Sequence, residues 1–313
     1  MAQSLALGGG KKSSYPASVI AAGLQAVWDL RTTAGTNAPL VNTPAGTPGN
    51  LPAVCSVGVY GQNAVLCTGT GGTYDLSNWD FTGYNLVLDG TGTFTGTNNK
   101  FTNQGGIYNV GIGTRSGAPT VNFTHCSFDG GGPGPGNSSL LYILAGAVSV
   151  STSHFYGSMG DPVIAEGTSY TSSNNYYEWP GQSTTQGSYH LETIYVGGST
   201  MASMTYDLSD MRAANVAPTN GVTGFLFNSS NSSGTITIQS CILIGAANSG
   251  ASQTMNLYAS QIGTNTPYTL TLNFFNNVWQ KGSSGYNAVI GNGTTNVTES
   301  GNIDFDTSAA ISP

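Results

Sequence analysis

A spaced pattern recurs along the 313-residue chain and constrains what it can fold into. Each copy reads apolar, any, apolar, two residues, a small, polar or aromatic residue, any, then a large residue. Tyr74-x-Leu76-x-x-Trp79-x-Phe81 is the first clear copy. Later copies start at Phe94, Val121, Val148, Tyr170, Met204, Ile236 and Leu270, and a degenerate one starts at Val297. The starts step by 20 to 34 residues. Apolar residues at period two mark strands with one buried face. A loose period near 30 with variable insertions marks a solenoid, one coil per step and the insertions in loops. A β-sandwich would instead need regular hairpin turns, and these steps are long for that.

The sixth position of the copies reads Trp79, Asn99, Cys126, Ser153, Asn175, Ser209, Cys241, Phe275 and Asn302. Asn and Ser suit a corner, where their side chains satisfy backbone groups at a bend and repeat from coil to coil. The expected architecture is therefore all-β: a parallel β-helix over residues 71–313, preceded by a segment of residues 1–70. In that segment Pro16 suits a first helical position. Ile20, Leu24, Val27 and Trp28 would share one face of a short capping or docking helix. Lys11-Lys12 and Ser18–Leu24 imitate a secretion signal poorly, and Met1–Gly10 lacks its basic start.

Composition narrows the partners. Charged residues make up 7% of the chain, against about 25% in a typical domain. The 16 Tyr, 11 Phe and 4 Trp supply ample core, which argues against disorder. Formal net charge is −7, and the seven Lys and Arg are scattered with no basic stripe. Nucleic acid and anionic membranes are thus disfavoured partners. No apolar run approaches the ~20 residues of a membrane-spanning helix, so no membrane insertion is expected.

Cys126 and Cys241 occupy equivalent repeat positions and read as buried free thiols. Cys55 and Cys67 are positioned for a local disulfide in an oxidising compartment. His125 adjoins Cys126, but strand neighbours point to opposite faces, so they make no nucleophile and base pair. No Cys/His grouping suggests a metal, and no cofactor motif is present.

Candidate chemistry clusters mid-chain. Asp161, Glu166, Glu178 and Glu192 fall there with His190, and no Lys or Arg occurs between Arg115 and Arg212. Tyr170, Tyr176, Tyr177, Trp179, Tyr189 and Tyr195 crowd the same stretch. Sugars stack on such rings, and carboxylates bond their hydroxyls. Asp161, Glu192 and His190 are the candidate catalytic residues, because paired carboxylates can serve as acid and base on a glycosidic bond. Glu166, Tyr177, Glu178, Trp179, Tyr189 and Tyr195 are the candidate binding residues. Local solubility is the plainer role for the acids.

The segments Val121–Gly130, Ile236–Gly245 and Leu270–Trp279 resemble the pectate-lyase-like right-handed parallel β-helix superfamily, which includes polysaccharide lyases, hydrolases and phage tailspikes. The resemblance covers roughly residues 70–310 and implies fold more than activity. Gly160-Asp161-Pro162-Val163-Ile164 and His190-Leu191-Glu192-Thr193-Ile194 resemble an Asp-Pro-Ile and His-x-Asp-x-Ile pattern of bacterial β-helix proteins, with Glu192 in place of Asp. The superfamily's Asn-Thr-Asp, Gly-His-Gly and Arg-Ile-Lys signatures are missing, as is a catalytic Arg in the central stretch. The resemblance implies a virion-associated or surface-exposed protein of tailspike, fibre or decoration type. It would recognise surface polysaccharide as a homo-oligomer or within a larger assembly, at the virion or extracellular surface. The alternatives are a secreted polysaccharide lyase or hydrolase, and a purely structural assembly or adhesion protein.

Overall fold

The computed structural model describes residues 51–57, 64–102, 108–130, 139–156, 161–179, 191–196, 203–209, 212–215, 222–228, 233–244, 256–257, 269–279, 294–304 and 306–311. The expected N-terminal helix lies outside them. No helix occurs among the described residues.

The described residues form three sheets. The first stacks β1 (Cys55–Val57), β2 (Ala64–Gly69), β4 (Asn85–Gly90), β7 (Tyr108–Gly117), β10 (Ser139–Ile143), β13 (Val163–Ala165), β16 (Leu191–Val196), β19 (Val222–Asn228) and β22 (Asn256–Leu257). The second stacks β3 (Thr73–Asp75), β5 (Thr93–Thr97), β8 (Thr120–Thr124), β11 (Ala147–Ser151), β14 (Ser169–Ser173), β17 (Ser203–Ser209), β20 (Ser233–Gln239), β23 (Thr269–Phe275) and β25 (Thr294–Ser300). The third stacks β6 (Lys100–Thr102), β9 (Ser127–Asp129), β12 (His154–Tyr156), β15 (Tyr176–Trp179), β18 (Arg212–Asn215), β21 (Ile242–Ile244), β24 (Val278–Trp279) and β26 (Ile303–Asp304).

The chain visits the three sheets in turn and returns one rung further on, so sheet neighbours are strands of successive coils. Their pairing is parallel except for β1, which runs antiparallel to β2. This is a parallel β-solenoid, and parallel pairing excludes the hairpin-built sandwich. β2 already stands in the stack, so the solenoid begins ahead of residue 71.

Alternation explains the strands. β5 and β11 bury every second residue and leave Thr, Ser or Ala outside. The inward residues form columns along the axis. Phe81, Phe101, Phe128, Phe155 and Tyr177 stack ring on ring at 5.3, 4.9, 4.3 and 4.6 Å. All five side chains are fully buried.

The bend from the second sheet to the third repeats one device. Asn78, Asn98, His125, Thr152, Asn174, Ser240 and Asn276 each take a left-handed backbone, with φ between 50 and 65°. Such a conformation costs on the order of 1 kcal/mol outside glycine, and least for Asn. The residue that follows is buried and bonds to its neighbours in the stack. Asn99 Oδ1 accepts from Trp79 N at 2.9 Å, Ser153 Oγ from Cys126 N at 2.9 Å, and Asn175 Oδ1 from Ser153 N at 2.8 Å. Asn277 Oδ1 accepts from Cys241 N at 2.9 Å, and Asn302 Oδ1 from Asn277 N at 3.1 Å. The expected corner column is thus present, with two corrections of register. Leu272, not Leu270, aligns with Ile236, so Asn277 rather than Phe275 holds the corner. Tyr206, not Met204, aligns with Tyr170, so Ser209 lies in the strand ahead of the bend. A slip of two residues keeps the same face inward, so period-two patterning does not resolve it.

Candidate functional site

The outer face of the first sheet carries Tyr195, and Glu166 follows its strand β13. Register sets Leu66, Val87, Gly111, Tyr142, Ile164 and Tyr195 on successive strands β2, β4, β7, β10, β13 and β16. Apart from buried Gly111, these residues are half-buried. Glycine at 111 is a requirement of packing: a Cβ there would run into the Tyr108 ring, which lies over the gap. Tyr108 and Tyr142 then stand 5.8 Å apart between ring centroids, tilted by 31°. The outcome is an apolar and aromatic stripe along the solenoid axis, with a strand every ~4.8 Å.

Glu166 flanks this stripe. Its Oε2 accepts from the Tyr142 hydroxyl at 3.5 Å. Partial burial holds the Glu166 carboxyl above its ordinary range, opposed by the Tyr142 hydrogen bond. Burial, and then the neighbouring Glu166 charge, raise the Tyr142 phenol. A carboxylate beside tyrosine rings can accept from ligand hydroxyls while the rings cover an apolar face. Asp161 is half-buried just ahead of β13. Glu192 lies near the start of β16, the strand that pairs with β13 from Val163↔Ile194 onward.

The other candidates divide. Tyr177 does not belong to an outer binding surface, because its ring is fully buried in the core stack. Its hydroxyl bonds the Tyr170 hydroxyl and Ser172 Oγ, both at 2.9 Å. Burial pushes the Tyr177 phenol to about 12 and the Tyr170 phenol well above its ordinary value. Tyr170 and Tyr176 are also buried. Glu178 and Trp179 are placed by their backbones in β15, and Glu192 by its backbone in β16. Tyr189 and His190 lie outside the described residues. Tyr195 is outward on β16, in register with Ile164.

Sequence reasoning missed Tyr108, Tyr142 and Ile164. Tyr142 sits in the run Leu140–Leu141–Tyr142–Ile143, where apolar continuity hides which side chain faces out. A signal was present in the pairing of Tyr108 with a glycine three residues on.

The thiols are inert. Cys126 and Cys241 are fully buried, and burial pushes the Cys126 thiol to about 12. A thiol that stays protonated is no nucleophile. Cys55 and Cys67 form a disulfide across the antiparallel pair β1 and β2. No metal-binding group of His, Cys, Asp and Glu occurs among the described residues. No protein-family model matches the chain, and neither a curated protein nor a solved structure matches it.

Proposed function

We propose that this chain is a surface-exposed, right-handed β-helix of the pectate-lyase-like kind. It recognises bacterial surface polysaccharide along the outer face of its first sheet, as a virion-associated fibre, tailspike or decoration protein does. The observation that carries this reading is the axial stripe of Tyr108, Tyr142, Ile164 and Tyr195 beside Glu166. An extended glycan laid along the axis meets one outward side chain per rung, with a carboxylate to accept from its hydroxyls. Right-handed winding is the sense that strand twist favours for crossovers between parallel strands. The Cys55–Cys67 disulfide supports an oxidising, extracellular setting.

The test incubates the chain with a panel of capsular polysaccharides and exopolysaccharides and reads retention by affinity electrophoresis. At least one glycan is expected to retard it, and Tyr142→Ala with Tyr195→Ala to abolish the retardation. Retardation unchanged in that double variant removes the stripe as the site. Oligomerisation, as in tailspikes, is read from the same preparation by light scattering.

A catalytic reading rests on Asp161 and Glu192 standing at the starts of two neighbouring rungs, just ahead of β13 and within β16, which pair in parallel. New reducing ends from the same glycans, lost in Asp161→Asn or Glu192→Gln with folding intact, would make the protein a hydrolase. Unsaturated products would make it a lyase.

A further inference from the structure

The first sheet carries an irregularity beside the aromatic stripe. β4 and β7 pair at Leu88↔Ile112 and again at Gly90↔Gly117. Asp89 on β4 therefore faces four residues of β7, Gly113 to Ser116. On its other side β4 pairs with β2 without a shift, up to Gly69↔Gly90. Alternation along β4 is thus intact, and Asp89 points outward with Val87 of the stripe, two residues back. Yet Asp89 is only 2% exposed. The bulge covers it: Arg115 N donates to Asp89 Oδ1 at 3.2 Å, and Ser116 N donates to the same carboxylate. Arg115 and Ser116 themselves are exposed.

Two glycines and the carboxylate fix the bulge. Gly113 and Gly117 bound it with left-handed backbones, at φ of 62° and 85°. A Cβ at Gly113 would strike Ala145 O, and one at Gly117 would strike Gly90 O. Between these anchors the chain is held by Asp89. Burying a carboxylate is unfavourable unless it is bonded, and burial raises the Asp89 carboxyl against the pull of the two N–H groups. β4 covers the same span with Asp89 alone, so closing the coil does not require the four extra residues. Bulges bend a strand and re-aim its side chains, and they are frequent beside binding sites.

Charge says what the bulge presents. Arg115 is the one Lys or Arg in the nine described strands of the first sheet. It comes four residues after Gly111 of the stripe, and Glu166 comes two after Ile164, so both stand on the same flank, two coils apart. On a chain of net charge −7, an acidic polymer is repelled unless a placed cation meets it. A guanidinium pairs with a carboxylate or a phosphate through a fork of two N–H donors. We infer that Arg115 is a specificity determinant for an anionic sugar unit of the polysaccharide, with Asp89 as its positioning residue. This rests on glycan binding along the stripe and adds the charge of the glycan and its placement. The anionic unit lies at β7, and the hydroxyls that Glu166 accepts from lie two coils further on.

The experiment is affinity electrophoresis of the full chain in uronate-bearing and phosphate-bearing capsular polysaccharides, each before and after carboxyl reduction or dephosphorylation. At least one untreated glycan is expected to retard the chain, and removal of its anionic group to weaken the retardation; the effective treatment identifies the group. Arg115→Gln should bind the untreated glycan roughly tenfold more weakly, the size of one charge-assisted hydrogen bond, and the neutralised glycan as the unaltered chain does. Lys100→Gln, which removes a cation from the third sheet, should change neither. Asp89→Ala should lose as much as Arg115→Gln, and Asp89→Asn, which keeps an acceptor for the two N–H groups, should recover most of it. Thermal melts establish folding, and exposed Arg115→Gln decides the matter if Asp89→Ala does not fold. The inference is overturned if neutralised and untreated glycans bind alike, or if Arg115→Gln binds in full while Tyr142→Ala with Tyr195→Ala still abolishes binding. Asp89→Asn as weak as a folded Asp89→Ala removes the positioning role. Retardation by no glycan, or retardation that survives the tyrosine double variant, removes the stripe itself and the role of Arg115 with it.

Discussion

At the residue scale, the corner column turns a sequence of weak similarity into one definite register. Asn175 shows how. Its side chain is fully buried, accepts from Ser153 N, and donates to Val150 O and Ser172 Oγ at 2.8 Å each. Removing it leaves a buried N–H and a buried C=O of the preceding coil without this partner. An orphaned buried group costs about 1–3 kcal/mol, so Asn175→Ala is expected to lose about 3 kcal/mol. Asn175→Ser should recover part of that, because Ser153 does the same work one coil earlier with a hydroxyl. Urea unfolding of the two variants, beside the exposed Asn122→Ala, checks it. Equal stability of the alanine and serine variants would mean that the side-chain bond contributes nothing and that volume alone matters.

At the element scale, each strand is too short to hold a position alone, and the columns supply what length does not. The stack from Phe81 to Tyr177 is the plainest case. Phe128 and Phe155 lie 4.3 Å apart with rings parallel to within 1°. Phe155→Ala removes a ring packed on both faces, with Phe128 on one side and Tyr177 on the other. Loss of a buried Phe costs about 3–5 kcal/mol, and coils on either side share it. Phe155→Leu should cost clearly less in the same denaturation assay; an equal loss would show that ring contacts, not burial, hold the column. This column was legible in the sequence, because Phe81, Phe101, Phe128, Phe155 and Tyr177 fall at the eighth position of successive copies. The corner was legible where Asn or Ser followed a clear apolar pair. Met204 and Leu270 misled because each is an apolar residue two positions ahead of the true start, on the same face. The candidate site was less legible. Tyr177 and Tyr195 look alike in sequence, yet one is core and the other faces out, since position relative to the bend decides orientation. Tyr142 was hidden in the run Leu140–Leu141–Tyr142–Ile143, where alternation carries no signal.

At the scale of the whole molecule, a solenoid is close to one-dimensional, so its ends decide how it opens. The two ends are built differently. At the far end, Val297 on the edge strand β25 is 43% exposed though it stands in an inward column. There the third sheet is covered by the chain folding back, with an antiparallel bridge from Ile303 to Ala310 and Ile311 N donating to Asn302 O at 3.0 Å. At the near end, β1 covers the first edge of the first sheet, and Cys55–Cys67 ties it to β2. An open edge invites pairing with other chains, and an antiparallel cover closes it. The disulfide closes a loop between residues 12 apart, worth about 3 kcal/mol in restricted chain entropy. Its loss should act locally. After reduction, or in Cys55→Ser with Cys67→Ser, hydrogen exchange is expected to quicken at Leu66, Leu86 and Leu88. It should stay unchanged at Leu272 and Phe274, many coils away. Free Cys126 and Cys241 do not complicate the reading, because both are buried. Exchange that quickened equally at both ends would mean that the stack opens as one unit, and that β1 is a strut for the whole solenoid rather than a cover for one edge.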